Sequence, residues 1–230
     1  MFNPFKKESV FYLKIRLKRL LNQFIHLCDL GFKRSSDLVF SGIGLVLCLP
    51  LFAVIGLMVA MDGGPIFYDH QRVGRNGKTF GCLKFRTMIV GAQDCLDEYL
   101  AYHPDERKEW EQHQKLAFDP RTTAIGRFLR RTSLDELPQL LNVLKGEMSF
   151  VGPRPVTKPE LDHFYGRKSR FYTSVRPGIT GPWQISGRNE IGYGQRVLMD
   201  TRYALRRSFL NDLAIMLRTP AAVFSGKGAR

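Results

Sequence analysis

Residues 38–61, LVFSGIGLVLCLPLFAVIGLMVAM, carry no charged side chain. A straight helix over that run would reach roughly 36 Å, long enough to cross a bilayer and long for a buried helix of a soluble domain. The flanks argue against a simple crossing. Lys33 and Arg34 lie before the run, and Arg72, Arg75, Lys78, Lys84 and Arg86 follow it. Basic residues favour the cytoplasmic side, so charge at both ends places both ends there. Pro50, in the middle, removes a backbone donor and favours a kink. The pattern predicts a re-entrant helix that enters one leaflet, bends at Pro50 and returns; a kinked spanning helix is the rival. Carbonyls freed at the bend need partners, and Ser35, Ser36 and Ser41 supply hydroxyls nearby.

The rest of the chain is strongly basic, with 35 Lys+Arg against 21 Asp+Glu and a net charge of +14. That balance suits nucleic acid, an anionic membrane surface or phosphorylated substrates. Aromatic interleaving in the basic stretches is sparse, and no helix-turn-helix or RNA-binding signature is present, which disfavours nucleic acid. Residues 5–27 alternate Lys6, Lys7, Lys14, Arg16, Lys18 and Arg19 with Phe11, Leu13, Ile15, Leu17, Leu20, Leu21, Phe24 and Ile25. This is a basic amphipathic helix suited to anionic headgroups, or to packing on the domain or a partner. Tyr203–Val223, interrupted by Pro220, reads as a second interfacial helix or as part of the core. The four cysteines form no CxxC pair, and the histidines have no HExxH spacing, so reduced thiols and no histidine-bound metal are expected. The predicted fold class is α+β: a monotopic membrane protein with a re-entrant, Pro-kinked helix, interfacial amphipathic helices and a small cytosolic catalytic domain. Its expected divisions are 1–32, 33–62 and 63–230.

Within the last division, Pro65–Tyr68 and Thr79–Phe85 read as two strands joined by Gly74-Arg75-Asn76-Gly77. Alternation in Lys84-Phe85-Arg86 predicts that Lys84 and Arg86 share a strand face. Residues 90–116 are polar and helical, a surface insertion. A short helix over Thr122–Arg131 would carry its arginines to Asp135-Glu136, the adjacent carboxylates of Ser133-Leu134-Asp135-Glu136-Leu137-Pro138. If Ser133 caps a helix, Glu136 takes the capping-box position and Asp135 lies in the first turn. The dipole and the arginines would then favour an ionised, nucleophilic Asp135. An ordinary capping box followed by the buried face of Leu137, Leu140, Leu141 and Leu144 is the plainer alternative. The turn-rich 175–189 segment, with Arg176, Arg188 and Asn189 as donors, suits a nucleotide, a sugar or a structural crossover. No Walker A loop or GxGxxG after a strand occurs.

Taken in order, these motifs resemble the bacterial sugar transferases, the monotopic phosphoglycosyl transferases of surface polysaccharide assembly. The resemblance rests on Lys33-Arg34 with Asp37 before a proline-broken hydrophobic helix, then Lys84-Phe85-Arg86-Thr87-Met88 and Asp119-Pro120-Arg121. It continues through Leu134-Asp135-Glu136-Leu137-Pro138-Gln139, 142–149 (NVLKGEMS), Val151-Gly152-Pro153-Arg154-Pro155 and Arg176-Pro177-Gly178-Ile179-Thr180-Gly181. It implies transfer of a hexose 1-phosphate, galactose first and glucose next, from a UDP-sugar to undecaprenyl phosphate with release of UMP. An N-acetylated amino sugar donor is the alternative, and a non-catalytic basic membrane scaffold the remote one. It further implies Asp135 as nucleophile, Glu136 as its helper, Mg2+ held by Asp135 or Glu136, and phosphate contacts from Lys84, Arg86, Arg130, Arg154 and Arg176. The implied setting is the cytoplasmic face of the bacterial inner membrane, among anionic lipids, with self-association left open. The chain departs from some relatives at Leu49, where they carry serine before the proline; it also shows no counterpart of the four-helix bundle of longer members.

Overall fold

A computed structural model describes residues 4–113, 116, 118–187 and 191–224. The chain begins with one helix, α1 (Pro4–Ala60), which runs through both expected N-terminal divisions without interruption. Pro50 lies inside it, and the helical backbone continues on either side, so the expected break is absent. A proline costs one hydrogen bond and a local clash, which a long helix can absorb as a bend. The serines do not serve that bend. Ser36 donates to the Lys33 carbonyl at 2.8 Å, the buried Ser41 hydroxyl has no partner among the described residues, and Ser35 is exposed. The side chains of the basic amphipathic stretch, apart from the exposed Arg16, lie outside the described residues, as do Arg188 and Asn189.

From Gly31 to Ala60, α1 is long and apolar enough to cross a membrane. Val46, Leu47 and Leu57 are each more than 70% exposed, so this is no core helix. Its opposite face packs on the globular part along the whole run. At the upstream end Lys33 donates to the Val151 carbonyl and Asp37 accepts from the Phe150 amide. At the downstream end Ile55 and Val59 enter a cluster with Phe85 and Leu129.

The globular part is organised around a hairpin, β1 (Phe67–Val73) and β2 (Thr79–Phe85), paired from Phe67↔Phe85 to Val73↔Thr79. Its turn uses Asn76 and Gly77, both at positive φ, the conformation that an Asn-Gly pair tolerates. Phe80 and Cys82 on one face of β2 pack with Val143 and Met148, while Phe85 on the other meets α1. Two helices, α2 (Ala92–Tyr102) and α3 (Pro104–His113), form the expected insertion. It is fastened through Arg121, which grips Asp119 with two hydrogen bonds (2.8 and 2.7 Å) and lies 4.9 Å over the Trp110 ring.

Next come α4 (Ala124–Thr132), α5 (Gln139–Lys145) and β3 (Ser149–Val151), then the single turn α6 (Lys158–Glu160) and α7 (Ser169–Tyr172). Strand β4 (Gly178–Thr180) pairs parallel with β3. A Cβ on Gly152 would collide with the Arg176 carbonyl, and one on Gly178 with the Gly152 amide, so the two motifs touch backbone to backbone. The chain closes with α8 (Tyr193–Arg206) and α9 (Phe209–Phe224). The C-terminal helix breaks at Arg207 and Ser208, and Pro220 sits within α9 without ending it. In this segment Asp212 is buried against Lys33, whereas Leu210 and Leu217 are exposed. Cys48, Cys82 and Cys95 are free thiols.

Candidate active site

Lys84 continues the Phe80–Cys82 face of β2 beyond the core, with the strand's two-residue period. Its ammonium lies 2.8 Å from Glu136 Oε1 and 3.3 Å from Asp135 Oδ2. The strand is locked to α5 by Asn142, which is wholly buried. Asn142 accepts from the Leu83 amide at 3.0 Å and donates to the Gly81 carbonyl at 2.8 Å and to Glu147 at 2.7 Å. Sequence reasoning missed this clamp; an amide within an apolar helix, five residues before a glutamate, was its only signal.

The carboxylates reach Lys84 by a route other than a capping box. Helix α4 ends at Ser133, whose φ of 58° reverses the chain, and Leu134–Glu136 form one 3-10 turn with no side-chain cap. Pro138 then opens α5, whose buried residues are Gln139, Leu140, Asn142 and Val143. Leu144 is exposed, so the expected leucine face is displaced. Asp135 therefore lies in the first turn of a 3-10 segment that leads through Leu137 and Pro138 into α5. Asp135 is only 6% exposed. Burial is the largest influence on its carboxyl and raises its pKa; Lys84 pulls down, Glu136 adds to the rise, and Arg130 pulls down more weakly. Burial also works against the charge of Lys84, but the two carboxylates outweigh it and its pKa is raised.

The predicted arginines divide. Arg154, half in solvent, approaches Glu136 Oε1 at 3.8 Å. Arg130 is held by Thr87 and Thr122 hydroxyls at 2.9 and 3.3 Å, close enough for its field to reach Asp135. That grip depends on Gly126, where a Cβ would strike the Thr87 carbonyl, and on Thr123, which caps α4 by accepting from the Gly126 amide. Arg86 does not join them, because β2 ends at Phe85. Its Nε donates to the Pro65 carbonyl (2.6 Å), and its other nitrogens to Val59 and Met88 carbonyls (2.8 and 3.2 Å) and to both oxygens of Asp62. All five guanidinium donors are used, so none is left for phosphate. The Arg86 hydrogen bond is the main influence holding the Asp62 carboxyl down to about 2. Arg176 also lies apart, donating to the Gly146 carbonyl at 2.7 Å and facing a different cavity.

Two carboxylates in a frame of Lys84, Arg154 and Arg130 can attack or coordinate, and can do so beside a polyanion. Among the described residues no group of three or more His, Cys, Asp or Glu forms a metal cage. A pair of adjacent carboxylates suits magnesium, which completes its octahedron with substrate phosphates and water.

Comparisons with known proteins show the family of the chain. The family model described as bacterial sugar transferase matches residues 28–226. The chain is 46% identical over 220 residues to an undecaprenyl-phosphate galactose phosphotransferase of Salmonella typhimurium, covering 96% of this chain and 46% of that protein. It is 48% identical over 198 residues to the exopolysaccharide production protein ExoY of Rhizobium meliloti, covering 86% and 87%. A third relative, the undecaprenyl-phosphate glucose phosphotransferase of Komagataeibacter xylinus, is 35% identical over 227 residues, covering 94% and 39%. The chain thus spans about half the length of several of these relatives, among them the Salmonella protein at 46%. With its motifs in order and the match covering nearly its whole length, the chain belongs to the bacterial sugar transferase family.

Proposed function

We propose that this chain transfers a hexose 1-phosphate from a UDP-sugar, galactose favoured, to undecaprenyl phosphate on the cytoplasmic face of the bacterial inner membrane. The observation that carries this reading is the Lys84 ammonium set between Asp135 and Glu136 with Arg154 beside them. A carboxylate oxygen of Asp135 attacks the β-phosphorus of the donor. The bond from that phosphorus to the bridging oxygen breaks, and UMP leaves with the electron pair. An oxygen of undecaprenyl phosphate then attacks the phosphorus of the phosphosugar–aspartate, and Asp135 departs as a carboxylate. Burial makes Asp135 more basic, hence a better nucleophile, while Lys84 offsets part of that rise. Glu136 holds Lys84 in place; Arg154 and Arg130 meet the charge that moves onto phosphate oxygens. Glu136 and the second oxygen of Asp135 would hold Mg2+, which when bound neutralises diphosphate charge.

The membrane reading rests on two facts: the run is apolar and exposed on one face, and both its ends are tied to the same globular part. A straight crossing would separate those ends by roughly 36 Å on opposite sides. We therefore favour a helix seated in one leaflet, both ends cytoplasmic, curving through Pro50 without a break. A cysteine at Leu30 that reacts from the periplasmic side of intact cells would sink this topology. Galactose is favoured because the relatives' names include a galactose phosphotransferase and a UDP-galactose-lipid carrier transferase. The test of the chemistry uses purified chain, undecaprenyl phosphate, Mg2+ and a panel of UDP-sugars. Asp135→Asn is expected to lose UMP release about a thousandfold or more, together with the covalent adduct seen by intact mass. Substantial turnover by that variant refutes the nucleophile.

A further inference from the structure

A second basic cavity, of about 230 Å³, lies where the upstream end of the apolar run meets β3 and the start of α9. Lys33, Arg34, Arg75, Arg176 and Arg207 line it, and Asp37 is the one carboxylate among its lining residues. None of these residues belongs to the Lys84–Asp135–Glu136 cluster. Lys33 is engaged by Asp212, Tyr203 and the Val151 carbonyl, and Arg34 by the Val143 and Leu144 carbonyls. Arg176 is engaged only through its Nε, and its two terminal nitrogens have no partner among the described residues. Asp37 spends one oxygen on the Phe150 amide.

A separate observation points to a ligand. Ser149, 1% exposed, lines the same cavity, and its hydroxyl has no hydrogen-bond partner among the described residues. An unmet buried hydroxyl and crowded guanidiniums are both costly unless something accepts from them. The crowding is felt: burial, then Arg34 and Arg75, lowers the pKa of Arg176. An acceptor-rich anion resolves both. Phosphate offers several acceptor oxygens, and arginine forks match them in pairs.

We propose that this cavity binds a phosphate group, with Arg176, Arg75 and the Ser149 hydroxyl as its donors. Two sources supply that chemistry, free phosphate and the headgroup of an anionic phospholipid. Resting on the membrane reading above, the cavity stands at the mouth of the apolar run, at headgroup depth, which favours the lipid. Bound there, it would tie α1, β3 and α9 together and fix how the catalytic part sits on the bilayer.

The test uses the full chain in phosphatidylcholine nanodiscs, with and without phosphatidylglycerol, and separately in detergent with inorganic phosphate. Retained lipid is read by native mass spectrometry and stabilisation by thermal shift, for wild type, Arg176→Gln, Ser149→Ala and Arg75→Ser. Wild type is expected to hold phosphatidylglycerol; Arg176→Gln and Arg75→Ser should each bind it about fivefold more weakly, the effect of one cation near an anionic headgroup, and Ser149→Ala, which removes one donor, should also bind it more weakly. A phosphate-induced shift that Ser149→Ala also loses assigns the cavity to phosphate in general; a response to phosphatidylglycerol alone assigns it to the lipid. If Arg176→Gln fails to fold, the exposed Arg75→Ser decides. Variants that match wild type with both probes overturn the proposal. UMP release is scored in parallel, so a failed catalytic reading with variant-sensitive lipid retention intact leaves this inference standing.

Discussion

Lys84 and Arg86 stand two residues apart, and alternation assigns them one face and one task. The fold gives them opposite ones. Lys84 points from the strand to two carboxylates and remains accessible to a substrate, whereas Arg86 lies past the strand end and spends every donor on Asp62 and three backbone carbonyls. A cation near a catalytic motif is available to phosphate only if its donors are not already used. That count requires tertiary structure, not spacing.

The comparison breaks most sharply by truncation. Lys84→Met is expected to remain folded and to lose about 100-fold in turnover, since it removes a charge that acts on the reacting phosphate. Arg86→Met should instead lose about 1–3 kcal/mol of stability in denaturant unfolding, because it leaves the Val59, Pro65 and Met88 carbonyls without their donor. Equal melting of the two variants would erase the distinction. Arg154→Lys, which keeps charge but loses the fork, should lower kcat/KM about tenfold with little change in melting temperature.

A further test concerns a buried carboxylate beside a tyrosine hydroxyl. Asp200 is wholly buried, and burial pushes its pKa from 3.8 up to about 7 against the Tyr165 hydroxyl at 2.7 Å. Its folded pKa is raised, so its contribution to stability is full below about 3.8 and is lost as pH rises through about 7. Asp200→Asn should therefore match wild type near pH 4 and melt higher at pH 8. A gap that closes as pH rises would show that the sign is wrong.

What was legible in the sequence was whatever depends on neighbours along the chain. The apolar run, the Asn76-Gly77 hairpin, the polar insertion and the Asp135-Glu136 pair all declare themselves by period, turn chemistry or adjacency. Positions set by distant partners did not. The left-handed Ser133 replaces the expected cap because α4 must stop to let the carboxylates turn toward Lys84. Gly126 falls inside an expected helix and Gly152 inside the Val151–Pro155 motif, and nothing local signals that each makes a close backbone contact with a strand-end motif far away in sequence. Pro50 and Pro220 both read as breaks, and both lie inside continuous helices. Arg176 is expected among the phosphate contacts of the carboxylate pair but opens onto the other cavity.

Because the catalytic part grips α1 near Lys33 and again near Val59, the run between them has an angular phase as well as a length. One inserted residue would advance the far end by roughly 1.5 Å and rotate it about 100°, turning Ile55 and Val59 away from Phe85. Such a helix should tolerate exchange of one apolar residue for another far better than any change in their number.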